Sequence, residues 1–76
     1  MKELVVYIAQ NLVNNPDAVK VEEYKRGRNQ IELRLAVDPD DMGRVIGRGG
    51  RVVNAMRSLV RVAAIKQGKR VNLEIR

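Results

Sequence analysis

The sequence predicts an α+β domain, three helices laid on one face of a three-stranded sheet. Three observations carry the prediction. Apolar residues recur at helical spacing over residues 2–14 and 51–67 but alternate over 30–37 and 70–76. The two patterns do not alternate regularly along the chain, which argues against a parallel βαβ architecture. The chain has 76 residues and no cysteine, so one small domain, burying about 60–65% of its unfolded surface, must be held by Leu, Ile, Val, Ala and Met alone.

Lys2 to Asn14 reads as the first helix, with Leu4, Val5, Ile8, Ala9, Leu12 and Val13 on one face. Asn14, Asn15 and Pro16 should end it, asparagine by accepting a left-handed cap and proline by refusing to continue. Val19 to Arg26 is a weaker strand whose alternation fades after Val21, as at a sheet edge. Gly27, Arg28 and Asn29 form a turn. Gln30 to Val37 is the clean strand, with Ile31, Leu33, Leu35 and Val37 inward and Glu32 and Arg34 outward, and it pairs with its predecessor as an antiparallel hairpin.

Asp38, Pro39, Asp40 and Asp41 then open a short helix. Asp38 serves as N-cap, Pro39 takes the first helical position, and the next two carboxylates complement the dipole. The run lacks the D-x-D-x-D-G spacing of a calcium loop, so a metal is not expected. Met42, Val45 and Ile46 form the apolar set of the short helix, which stops at Gly47. The longest helix runs from Arg51 to Gln67. Val52, Val53, Met56, Leu59, Val60, Ala63 and Ala64 make its inner face, and Arg51, Asn54, Arg57, Ser58 and Arg61 its outer one. Val62 and Ile65 project toward the polar side, so they are either covered by another element or left as an exposed patch for a protein partner. Gly68 caps the helix, and Arg70 to Arg76 is the last strand, with Val71, Leu73 and Ile75 inward.

Composition narrows function. Fifteen Lys and Arg face nine Asp and Glu, a net charge of +6, and ten of the fifteen are arginine. Arginine grips phosphate oxygens with two parallel donors, so the balance points to a polyanion. Histidine and cysteine are absent, and the only hydroxyls are Tyr7, Tyr24 and Ser58. Proton transfer and nucleophilic catalysis therefore lack their usual groups, and a binding module is expected rather than an enzyme, with no cofactor. The N-terminal apolar residues are broken by Glu3, Gln10 and Asn11, no small-residue cleavage site follows, and no apolar run approaches the roughly 20 residues of a membrane span. A soluble, cytoplasmic protein is the expectation.

The most informative stretch is Val45–Val53, V-I-G-R-G-G-R-V-V. Three glycines in four positions are costly to order and imply a tight turn or a backbone that a ligand approaches closely. Arg48 and Arg51 beside them name the ligand as an anion, and the helix that follows presents its N-terminus there. A plain corner between two helices would also use glycine. One glycine would suffice for that, however, and a corner has no use for arginine on both sides. The loop lacks the Gly-Lys-Ser/Thr of a nucleotide P-loop and the G-x-G-x-x-G of a dinucleotide fold. With no Phe or Trp, stacking on an aromatic sheet is not the expected mode of binding.

This stretch, with aliphatics before and after G-x-x-G, resembles the signature of the K-homology (KH) family, whose loop clamps the backbone of about four nucleotides. The element order resembles the type II arrangement, αββααβ. The run P-D-D-M-G-R-V-I-G-R-G-G-R and the size of the chain resemble the small stand-alone bacterial KH proteins of the KhpA type. The resemblance covers essentially the whole chain and implies a mixed sheet. It also implies single-stranded RNA binding, a role as RNA chaperone or post-transcriptional regulator, and links to cell-envelope growth and cell-length control. The partners it implies are a second copy and a larger multi-domain KH protein of the KhpB (Jag) type.

Carried over by position, Gly47, Arg48, Gly49 and Gly50 form the clamp, with Arg44, Arg51 and Asn54 beside it. Bases would lie between these helices and the Gln30–Val37 strand. Gly49 offers no side chain to the ligand, and the connection through Gln67, Gly68 and Lys69 makes a short wall. One copy should therefore bind weakly, and dimerisation, for which Val62 and Ile65 are the candidate interface, would add affinity. Two other readings remain open at this point. One is duplex DNA binding with the long helix as reader; the other is an adaptor subunit whose loop has lost its ligand.

Overall fold

The computed structural model describes residues 1–76. Its order is α1 (Lys2–Leu12), β1 (Lys20–Gly27), β2 (Gln30–Ala36), α2 (Met42–Ile46), α3 (Arg51–Lys66) and β3 (Arg70–Ile75). The sheet order is β1-β2-β3, with β1–β2 antiparallel and β2–β3 parallel. This is the mixed sheet and αββααβ order of a type II KH fold.

The core lies between the sheet and the helices. Ile31, Leu33 and Leu35 from β2, Val21 from β1 and Leu73 from β3 are buried against Val5 and Ala9 of α1, Val45 of α2, and Met56 and Val60 of α3. The strand alternation selects this face: Val21 is opposite Leu35, and Leu33 is opposite Leu73. The reverse face carries no helix. There the guanidinium groups of Arg26 and Arg34 lie 5.1 and 4.9 Å from the Tyr24 ring centroid, and both donate to the Glu32 carboxylate. Hydrogen bonds from Arg34, and then from Arg26, hold the Glu32 carboxyl below its ordinary pKa.

The sequence reading needs two corrections here. Asn14 is not a left-handed cap: no residue other than glycine has positive φ, and α1 ends on an extended Val13. The backbone N–H groups of Asn14 and Asn15 instead donate to Oδ1 and Oδ2 of Asp41, each at 3.1 Å. Asp41 is only 2% exposed, so beyond its place in a first helical turn it is a buried strut between the end of α1 and the start of α2. The second correction is Leu59, expected on the inner face of α3 but 55% exposed. The buried face of α3 is the narrower set Val53, Met56, Val60 and Ala64, because a single sheet covers only one side of the helix.

The caps mostly follow the sequence. Asp38 Oδ1 accepts the Asp40 N–H at 2.9 Å with Pro39 at the first helical position. That bond, then one from the Asn15 amide, keeps the Asp38 carboxyl below its usual range. Gly68, at φ +69, follows the last turn of α3, while Lys69 N–H donates to Ala64 O and Gly68 N–H to Ile65 O. These two bonds form a Schellman cap that turns the chain straight into β3.

Candidate nucleic-acid interface

The loop between α2 and α3 is a single tight turn, Arg48–Gly50, held by Gly47 N–H to Gly43 O at 2.9 Å and Gly50 N–H to Gly47 O at 3.2 Å. All three glycines have positive φ, but for different reasons. Gly47 lies at φ 76, ψ 172, a region essentially closed to other residues, and its backbone is pressed against Val52. Gly49, at φ 63, ψ 20, faces open space. Gly50 is the left-handed N-cap of α3, with Asn54 Nδ2 lying over the place where its Cβ would stand. A glycine N-cap has no side-chain oxygen to offer the first turn of α3, and the Arg51 N–H donates instead to Arg48 O.

Around this turn the structure gathers the expected residues. Arg48, Gly49 and Arg51 are exposed, and neither arginine is in an ion pair. Arg44 is exposed on α2, with its guanidinium 3.9 Å from Asp41 at the helix start. Asn54 sits one turn into α3 and accepts from Arg57 Nη1 at 3.2 Å. Val62 and Ile65 stand apart, with Leu59, on the solvent side of α3.

One expected wall is displaced. The Gln30–Val37 strand is the central strand of the sheet, flanked on both edges. The groove beside α3 is walled by β3, and Arg57, Arg61, Val71, Asn72 and Leu73 line a hollow there. Arg57 closes it: its Nε donates to Leu73 O at 3.1 Å, taking a carbonyl of this edge strand. The sequence places Arg57 and Arg61 only on the outer face of the long helix. A signal for them was present, because between Met42 and Leu73 the chain carries eight cations and no carboxylate. All nine acids lie outside that span, and the only ion pair its cations form is that of Arg44 with Asp41, so the two helices, the loop and the groove form one predominantly positive surface.

The family described as KhpA/KhpB, KH domain matches residues 2–75. The chain belongs to this family. Curated relatives agree over nearly the full length. The RNA-binding protein KhpA of Caldanaerobacter subterraneus subsp. tengcongensis is 53% identical over 75 residues, 99% of each chain. That of Clostridium perfringens is 51% identical, again over 99% of each chain. That of Aquifex aeolicus is 41% identical, over 99% of this chain and 94% of its own. No helix in this KH domain is long and apolar enough to cross a membrane.

Proposed function

We propose that this protein is a single-stranded RNA-binding module that seats the sugar–phosphate backbone on Gly47–Gly50. The single supporting observation is the bare turn itself: open space at Gly49, an uncapped α3 N-terminus, and Arg48 and Arg51 free of carboxylate partners. In mechanism, Arg48 and Arg51 neutralise the strand beside the positive end of the α3 dipole, and Arg44 adds charge from α2. Asn54 offers its exposed amide one turn into α3, and unstacked bases lie toward the groove beside β3. The relatives' names speak of RNA binding, and their similarity to this chain favours RNA over duplex DNA.

The test is the pair Arg48→Asp with Gly49→Asp, which sets two negative charges against phosphate. Aspartate tolerates left-handed backbone, and position 49 has room for a side chain, so the fold should survive. Affinity for single-stranded RNA should fall by about tenfold or more, a loss of ~1.4 kcal/mol or greater. Unchanged affinity in a folded variant would refute the clamp, and duplex DNA competing equally at the same salt would refute the single-strand assignment.

The same reading makes the protein an RNA chaperone or post-transcriptional regulator in the bacterial cytoplasm that acts with a KhpB (Jag)-type partner in cell-envelope and cell-length control. The family resemblance supports this part. Self-association rests on α3, where Leu59, Val62 and Ile65 are 55%, 55% and 67% exposed at three-residue spacing. Such a stripe is self-complementary across a two-fold axis, and pairing two weak clamps raises their avidity for one RNA. Ile65→Asp should halve the solution mass and leave the fold intact. A mass identical to that of the unaltered protein would remove this interface.

A further inference from the structure

The clamp sits at one end of α3. At the other end, the β1–β2 turn and the α3–β3 turn meet around a cavity of about 450 Å³, lined by Arg28, Asn29, Gln30, Ile65, Lys69 and Arg70 among others. The two turns are fastened together by the Arg70 N–H donating to Asn29 O at 2.7 Å, so the cavity is held by backbone. No carboxylate lines it, and Arg28, Lys69 and Arg70 form no ion pair. Three cations gathered without a counter-charge repel one another, a cost that a bound anion removes. Asn29 and Gln30 add amide donors.

This pole is not isolated. A second hollow, lined by Arg61, Ile65, Lys69, Arg70 and Val71, joins it to the groove, and Arg61 lines both that hollow and the groove beside β3. Cations therefore continue from Arg48 and Arg51 through Arg57 and Arg61 to Lys69, Arg70 and Arg28. The sixteen residues of α3 place the ends of this track about 24 Å apart. The clamp accounts for about four nucleotides, and a longer strand that follows the track reaches the pole.

The geometry points to a second phosphate subsite at this pole, which takes a flanking phosphodiester of the same RNA strand that the loop holds. The inference rests on the RNA reading above and extends it: the module measures strand length, and its affinity should grow beyond four nucleotides. Arg28 and Arg70 supply the charge, and the Asn29 and Gln30 amides supply orienting hydrogen bonds.

The experiment titrates the intact protein with a tetranucleotide and a decanucleotide of single-stranded RNA, following amide resonances and affinity at several salt concentrations. Both oligomers should shift the amides of residues 47–51. Only the decanucleotide should shift those of Asn29, Gly68 and Lys69, and it should bind with a steeper salt dependence. Arg28→Gln with Arg70→Gln should leave tetranucleotide binding unchanged and reduce the decanucleotide salt slope by about 0.7 for each contact removed. If the loop amides respond but the pole amides stay still, or if the double variant keeps the full slope, this subsite is wrong and the clamp stands. If the variant weakens both oligomers equally, the pole acts only through its long-range field, and the subsite is again wrong. If neither oligomer moves the loop amides, the clamp reading fails and takes the subsite with it.

Discussion

Gly47→Ala should destabilise the domain by about 3–5 kcal/mol, whereas Gly49→Ala, two positions on, should cost only ~1–2 kcal/mol. The difference comes from two effects that coincide at position 47. Its backbone, at φ 76 and ψ 172, lies where a Cβ is strained by about 1–3 kcal/mol. A methyl group there would also stand 2.5 Å from Val52 Cγ2 and 2.8 Å from the Val52 amide nitrogen. The amide nitrogen belongs to the first turn of α3 and cannot swing aside, so overpacking adds about another 1–3 kcal/mol. Position 49 has an ordinary left-handed backbone and no neighbour within 4 Å, which leaves the conformational penalty alone. A domain of this length holds only about 4–11 kcal/mol in total. Chemical denaturation of the two variants checks the contrast, and equal midpoints would show that Val52 does not set the turn.

The second large effect is expected at Asp41. Its carboxylate is the single buried charge, and both of its oxygens are occupied by backbone N–H groups of the segment that leaves α1. Asp41→Ala removes two charge-assisted hydrogen bonds in one step, each worth about 1.5–3 kcal/mol when buried. Asn14 and Asn15 are exposed enough for water to replace part of what is lost, so the net cost should be ~2–4 kcal/mol. Asp41→Asn is not a mild alternative, because its NH₂ would face a donor. A loss below about 1 kcal/mol for the alanine variant would mean that the strut does not hold α1 to α2.

These two residues also mark where the sequence stopped being readable. Period and caps located α1, α3 and the three strands to within two residues, because those signals are local: Leu33 and Leu35 declare a strand wherever it goes. The short helix opens as a 3-10 turn over Pro39–Asp41, and the 3-10 turn Pro16–Ala18 has no such signal. The glycine turn was legible because a turn built from four consecutive residues depends on no distant partner. Asp41 looked like another first-turn acid. Its actual role depends on Asn14 and Asn15, which spacing cannot bring near. The groove wall was assigned to β2 because the strongest strand pattern belongs there. That strength reflects burial in the middle of the sheet, where both edges of the strand are already paired. Leu59 counted as inner because the apolar stripe of α3 is wider than the surface one sheet can cover, and the surplus faces outward with Val62 and Ile65.

The parallel docking of β3 against β2 has a thermodynamic consequence. Ile31 pairs with Val71 across about half the length of the chain, so this is the longest-range strand pairing in the fold and no local hairpin assists it. Arg57 can reach Leu73, and the cleft acquires its second wall, only after that closure. A chain whose final strand has come away keeps its glycine turn but has no cleft. Nucleic acid lodged against β3 would therefore select the closed molecule, and at a hundredfold excess over its dissociation constant it would add about 2.7 kcal/mol to native stability. Occupancy and folding would then rise and fall together, and the resistance of this small domain to unfolding would track how much of its ligand is at hand.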